Sequence, residues 1–389
     1  MQISDRLANL TTGIFSEIDQ LVQVQAAKGK DIINLSVGSP DREPAPHIVN
    51  ALADAVYDGT KYGYALSEGM PAFKKAVTDW YYQRFHVSLD PEKEVLSLMG
   101  SQDGLSHIFL AFLNPGDIAL IPDPGYPVYS AGALIAGGEI FYMPLLKENR
   151  FLPDFEAIPQ EVAQKAKIMI LNYPSNPVTA VADLDFFSRA VSFAKKHDII
   201  ICHDVAYSEL SFDGYNPPSF LETPGAKEVA VEFHSLSKSY NMAGCRIAFL
   251  TGNSKVIDAL RRLKSNIDYG IFQPVQIAGI AALTGSQENV RENALTYQKR
   301  RDVLLDKLAQ GGWKIEKPKA TMFIWAPLPK NYQDSKVFTI ELLEKTGVVV
   351  TPGIAFGRLG EGYVRIALVC EEERLLEAAN RILSAGICR

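Results

Sequence analysis

Seven short apolar runs alternate with longer helical patterns through the middle of this chain, and that alternation leaves few folds open. The runs are Val95–Met99, Ile118–Ile121, Glu139–Met143, Lys167–Leu171, Ile199–His203, Ala230–His234 and Arg246–Thr251. They are nearly continuous in apolar residues, as strands covered on both faces must be. Helix-length stretches such as Gly104–Leu113, Tyr126–Ala136 and Asp183–Lys196 lie between them. The pattern predicts an α/β fold with a mostly parallel seven-stranded sheet between helices.

The last hundred residues read differently. A long helix is expected over Gln287–Ala309, with Val290, Ala294, Tyr297, Leu304 and Leu308 near one face. Strand candidates Met322–Trp325, Val348–Val350 and Tyr363–Ala367 follow, and Glu371–Ser384 closes the pattern as a helix. This is the layout of a smaller α+β domain, and the segment before residue 45 is expected to pack with it. A chain of 389 residues exceeds the size at which single cores stop growing, so two domains are expected. The large one takes residues 45–285; the small one combines 1–44 with 286–389.

A net charge of −6 argues against nucleic acid or an anionic membrane as the main partner. The first thirty residues lack a signal-like apolar stretch, and no run reaches the length of a membrane span. Cys202, Cys245, Cys370 and Cys388 are far apart with no C-x-x-C pair, so they read as reduced thiols in a cytoplasmic protein. His203 beside Asp204 invites a metal reading, but neighbouring strand residues face opposite ways and no third ligand has suitable spacing. No metal is expected.

Function is written most densely in Ser235-Leu236-Ser237-Lys238-Ser239-Tyr240-Asn241-Met242-Ala243-Gly244-Cys245-Arg246. Small hydroxylated residues let a lysine sit close to an anion, and Arg246 adds a planar fork suited to phosphate. An amine beside a phosphate site is what holds pyridoxal 5′-phosphate (PLP) as a Schiff base. The alternative, from these residues alone, is a surface lysine in a Ser-rich turn. Further polar groups follow other strands, where ligands of an open α/β sheet sit. They are Gly100-Ser101-Gln102, Pro122-Asp123-Pro124-Gly125-Tyr126, Asn172 to Pro177, and Asp204 with Tyr207. Taken singly, Asp204 and Ser101 also read as helix caps, Tyr126 as core packing and Arg365 as a surface arginine.

In their order along nearly the whole chain, these motifs resemble the class I/II aminotransferases of PLP fold type I. The resemblance implies that Lys238 is the Schiff-base lysine and Asp204 the partner of the pyridine nitrogen. Tyr207 and Asn176 would hydrogen-bond the phenolic oxygen, and Tyr126 would stack on the ring. Ser101, Gln102 through its backbone N–H, Ser235, Ser237 and Arg246 would hold the phosphate. Arg365, in Val364-Arg365-Ile366-Ala367, would grip the substrate α-carboxylate beside Gly38. Tyr64 would reach the phosphate of a second subunit, making a homodimer with shared sites.

The activity implied is ping-pong transfer of an α-amino group from an L-amino acid to a 2-oxo acid, 2-oxoglutarate or pyruvate. Burial and Arg246 are expected to disfavour the charged form of Lys238. The segment Leu236–Arg246 is similar to the alanine-type and LL-diaminopimelate-type branches. Plant-type diaminopimelate enzymes carry a glutamate three residues after the Tyr64 equivalent; here Ser67 stands there, with Glu68 beside it. A β-lyase on the same scaffold remains the alternative, and a non-catalytic PLP-binding regulator a more distant one.

Overall fold

A computed structural model describes residues 4–8, 10 and 13–387. Cys388 lies outside the described residues. Strands are numbered in chain order: β1 (Ile33–Asn34), β2 (Val95–Leu98), β3 (Ile118–Asp123), β4 (Glu139–Pro144), β5 (Ala166–Asn172), β6 (Ile200–Asp204), β7 (Ala230–Ser235), β8 (Ala248–Gly252), β9 (Phe323–Pro327), β10 (Val348–Val349), β11 (Thr351–Pro352) and β12 (Tyr363–Ala367).

The main sheet has seven strands in the order β2-β8-β7-β6-β5-β3-β4. Every neighbouring pair is parallel except those of β8, which runs against both β2 and β7. Apolar layers cover both faces. One contains Phe73, Trp80, Tyr81, Phe186 and Phe220; the other contains Leu105, Phe109, Tyr129, Ile257 and Leu260. Helix punctuation is local: Asp183 accepts from the Phe186 N–H at 2.9 Å to start Leu184–His197, which ends in Lys195, Lys196 and His197. An acceptor at the first turn and cations at the last both complement the helix dipole.

The strand direction places the chemistry. The parallel strands β5, β6 and β7 end on one edge in Asn172, Asp204 and Ser235, and β2 ends there before Gly100 and Ser101. Because β8 is antiparallel, its beginning, not its end, faces that edge, and this brings Arg246 to it. Arg246 was expected inside the strand. It instead has φ 53°, a left-handed conformation that stops the ladder, and the strand starts at Ala248.

In the last hundred residues a second sheet, β11-β12-β9, is antiparallel, and β1 pairs in parallel with β10. The run expected over Val348–Val350 is strand only at Val348–Val349, and the next strand, Thr351–Pro352, belongs to the other sheet. The early segment packs here: Ile18 shares a cluster with Leu343 and Val349. Asp31 also pairs with Arg374 and Arg381.

Candidate active site

A cavity of about 470 Å³ opens at the carboxyl edge of the main sheet. It gathers Gly38, Ser101, Gln102, Tyr126, Asn176, Asp204, Tyr207, Ser235, Ser237, Lys238, Arg246 and Arg365, every sequence-predicted site residue except Tyr64. A larger recess, of about 1150 Å³, lies elsewhere along residues such as Arg150, Phe155, Arg189 and His197, and holds none of them.

Lys238 sits in a four-residue helix, Leu236–Ser239, that follows β7 directly. Ser235 caps this turn by accepting from the Ser237 N–H at 3.2 Å. The lysine Nζ donates to the Gly38 carbonyl at 2.5 Å. Burial, then Arg365 and Arg246, bring its pKa down to about 8, while Asp204 pulls the other way. Arg246 contributes as expected, but burial and Arg365 outweigh it.

That depressed value has a cost in the folded protein. Between pH 8 and the ordinary lysine range the unfolded chain binds the proton and the folded one does not, so this residue's destabilising effect fades as pH rises. Replacing it with methionine should therefore stabilise the cofactor-free protein at pH 7, by on the order of 3 kcal/mol. The gain should vanish near pH 10.5, the model value for lysine. Urea denaturation across that range checks it; a gain independent of pH contradicts it.

Asp204 ends β6 and is buried. The Tyr129 hydroxyl donates to its Oδ2 at 2.7 Å and the Ala206 N–H to its Oδ1 at 3.3 Å. Burial pushes its pKa up, and these donors oppose that. The preceding residue, His203, faces away. Its Nδ1 meets Glu232 at 2.7 Å, and its Nε2 accepts the Tyr173 N–H at 3.2 Å. Accepting at one nitrogen leaves a neutral ring that donates from the other. Elsewhere, Asp103, His107 and Asp268 approach one another, but the Lys264 ammonium already pairs with both carboxylates at 2.6 and 2.8 Å.

Arg365, on β12, reaches the same cavity. Its guanidinium donates to Asn176 Oδ1 at 2.9 Å and to the Ser36 carbonyl at 2.7 Å. It also lies 4.3 Å from the Phe323 ring centre and 4.7 Å from that of Phe356. Burial lowers its pKa to about 10, and its Nε has no partner. Gly38 must be glycine here, since a Cβ would stand 2.5 Å from the Phe323 ring.

On the opposite wall, Ser101 and Gln102 open the helix Ser101–Phe112 behind Gly100. First-turn N–H groups lack intrahelical partners and suit an anion. A Cβ on Gly100 would lie 2.1 Å from Arg246 Nη2, so glycine lets the guanidinium approach that turn. The Gln102 side chain is engaged, accepting from the Tyr126 hydroxyl at 3.2 Å. Tyr207 is buried against Phe323, ring centres 5.6 Å apart. Tyr64 is 88% exposed and packs on Tyr269, away from the cavity.

Sequence reasoning missed Tyr129, Phe323 and Phe356, and it placed Asn172 at the sheet edge without giving it a role of its own. Tyr129 stands three residues after Tyr126, one helical turn on, which was the available signal. Asn172 closes β5 and donates to the Asp204 carbonyl at 2.7 Å.

A half-buried lysine of lowered pKa, a buried strand-end carboxylate, a helix-start turn beside Arg246 and a buried arginine thus share one cavity. The aminotransferase class I and II family matches residues 30–382. The LL-diaminopimelate aminotransferase of Dehalococcoides mccartyi is 52% identical over 375 residues, 96% of each chain. That of Moorella thermoacetica is 50% identical over 382 residues, 98% of each. Among solved structures, substrate-bound BacF from Bacillus subtilis has a TM-score of 0.94 and 42% identity, covering 99% of this chain and 98% of its own. The chain belongs to the class I and II aminotransferases and is a transaminase. PLP is the cofactor this family implies.

Proposed function

We propose that this transaminase binds PLP in the 470 Å³ cavity and takes LL-diaminopimelate as amino donor, with 2-oxoglutarate or pyruvate as acceptor. One observation carries the catalytic reading: Lys238, Asp204 and Arg365 converge on a single cavity although they come from distant parts of the chain. The substrate reading is supported by relatives at about 50% identity over nearly full length.

The residues fit PLP on three counts. The helix-start N–H groups, Ser235, Ser237 and Arg246 make an anion cradle whose closeness depends on Gly100. The buried Asp204 carboxylate needs a cationic partner, which a protonated ring nitrogen supplies. The orphan Nε of Arg365 leaves donor capacity for a carboxylate. When bound, PLP supplies the carbonyl that captures the donor's amine and the electron-poor ring that stabilises charge at Cα.

The protein's own groups do the rest. Arg365 orients the α-carboxylate, with Gly38 leaving room for it. Asn176 and Tyr207 would hydrogen-bond the phenolic oxygen, and Tyr126 would stack on the ring. Lys238, its pKa at about 8, is deprotonated often enough near neutral pH to take a proton from the donor's Cα and would deliver it to C4′, the cofactor carbon that carries the carbonyl. General acid–base transfer of this kind contributes about 10²–10⁴-fold. Arg365→Ala should raise KM for every amino donor by about 10–100-fold, the value of a charge-assisted contact. Steady-state kinetics check this, and an unchanged KM refutes the carboxylate role.

The working unit is a homodimer, with residues 45–285 and 1–44 plus 286–389 as its two domains. Tyr62, Tyr64, Leu66 and Tyr269 are all exposed, and Tyr62 and Tyr64 form ring contacts with Phe272 and Tyr269. An exposed apolar patch of this kind calls for a partner surface, and a second copy is the one that lets Tyr64 reach a phosphate. Glu68 is committed within its own chain, to Lys74 at 3.5 Å and Arg261 at 3.6 Å. Sedimentation at assay concentration should give a dimer, and fully active monomers would refute the shared site. The protein works in the cytoplasm in this reading; among the described residues no helix is long and apolar enough to cross a membrane.

A further inference from the structure

Asp123 ends β3 and is buried, yet it lines neither the cavity nor any part of the cofactor cradle. Its Oδ1 accepts the backbone N–H of Leu359 at 3.2 Å. Two residues further along, the Gly125 N–H donates to the Phe356 carbonyl at 2.8 Å. The turn after β3 therefore brackets the segment 356–359, which joins β11 to β12. Gly357 lies directly on the same carboxylate: a Cβ there would stand 2.1 Å from Asp123 Oδ1, and its φ of 133° already favours glycine.

The bracketed segment matters because of what Phe356 touches. Its ring centre is 4.7 Å from the Arg365 guanidinium, and Trp325 and Phe15 meet its ring at 6.2 and 6.0 Å. Arg365 is tied at its two terminal nitrogens to Asn176 and Ser36, while its Nε has no hydrogen bond. Its stacking neighbours complete the alignment that the terminal bonds begin. We infer that Asp123 is a positioning residue for the substrate-carboxylate site: by holding Gly357 and Leu359 it presses Phe356 against Arg365 and fixes the plane of the guanidinium. The inference rests on the carboxylate role proposed above for Arg365.

A bracket of this kind predicts a selective loss. Releasing it should weaken recognition of a carboxylate while leaving the reactive centre intact, whereas a strand end that merely stabilises the fold would affect all ligands alike. Aminooxyacetate and methoxyamine separate the two cases. Both bring the same aminooxy nucleophile to the PLP-loaded protein, and only the first carries a carboxylate. Capture of each is followed by the change in visible absorbance, and the ratio of their rate constants isolates carboxylate recognition.

In the wild type the ratio should be well above one, and Arg365→Ala should bring it close to one. Asp123→Ala should lower the ratio about tenfold, the effect of losing one buried acceptor, with methoxyamine capture nearly unchanged. Asp123→Asn retains an acceptor oxygen and should recover most of the ratio. Gly357→Ala presses a methyl onto the same carboxylate, should lower the ratio similarly, and carries the test alone should Asp123→Ala not fold. The inference is overturned if Arg365→Ala collapses the ratio while the Asp123 and Gly357 variants keep it, or if those variants slow both probes equally. An unchanged ratio in Arg365→Ala would overturn the carboxylate role, and this inference with it.

Discussion

Lys238→Ala is expected to lower turnover by at least about 10⁴-fold, the upper range of a lost general base, while PLP binding and the fold persist. The expectation follows from where the cofactor's other contacts arise. Ser101 and Gln102 come from the turn after β2, Arg246 from the start of β8 and Asp204 from the end of β6. None depends on the lysine side chain. Removing it also removes a half-buried amine whose pKa is depressed to about 8, so stability should not fall. Absorbance titration with PLP, beside kcat, checks this. Borohydride reduction of the loaded wild type should fix the cofactor on the peptide carrying Lys238, and recovery on another lysine would sink the assignment.

The second large effect is at Asp204. Asp204→Ala should leave a coloured protein whose kcat falls by about 10²–10³-fold, the typical loss on removing one preorganised electrostatic group. The carboxylate is costly to bury, and burial pushes its pKa up. The Tyr129 hydroxyl and the Ala206 N–H favour its charged form, and a protonated ring nitrogen facing it would add to them. Without that charge a bound ring nitrogen would hold its proton less well, and the ring would lose capacity to take up electron density. A variant with wild-type kcat would show that Asp204 does no more than shape the strand end.

The strands and the residues of the cavity were legible for different reasons. Runs such as Ile118–Ile121 and Ala230–His234 are apolar because both faces are covered, so periodicity finds them. Lys238 stood out as an amine among small hydroxylated residues beside Arg246, whereas Asp204 and Arg365, which read singly as a cap and a surface arginine, gained their roles only from the order of the motifs along the chain. Register and strand direction were not written locally. Nothing near Arg246 shows that β8 runs antiparallel, which is what delivers the guanidinium to the cradle. Tyr129 meets Asp204 only because a helix crosses the sheet edge there. Asp123 looked like part of a Pro-rich turn; its acceptor role depends on Leu359, 236 residues away. Tyr64 lies outside its own chain's cavity, as the proposed homodimer requires.

The most direct test mixes PLP-loaded protein with LL-diaminopimelate and no acceptor. A transaminase of this specificity should release one equivalent of 2-oxo product per site, with a single change in visible absorbance, and then stop. Adding 2-oxoglutarate or pyruvate should restart it and restore the starting spectrum. Continued release of ammonia without any acceptor, or no response to LL-diaminopimelate alongside full conversion by another amino acid, would contradict the account.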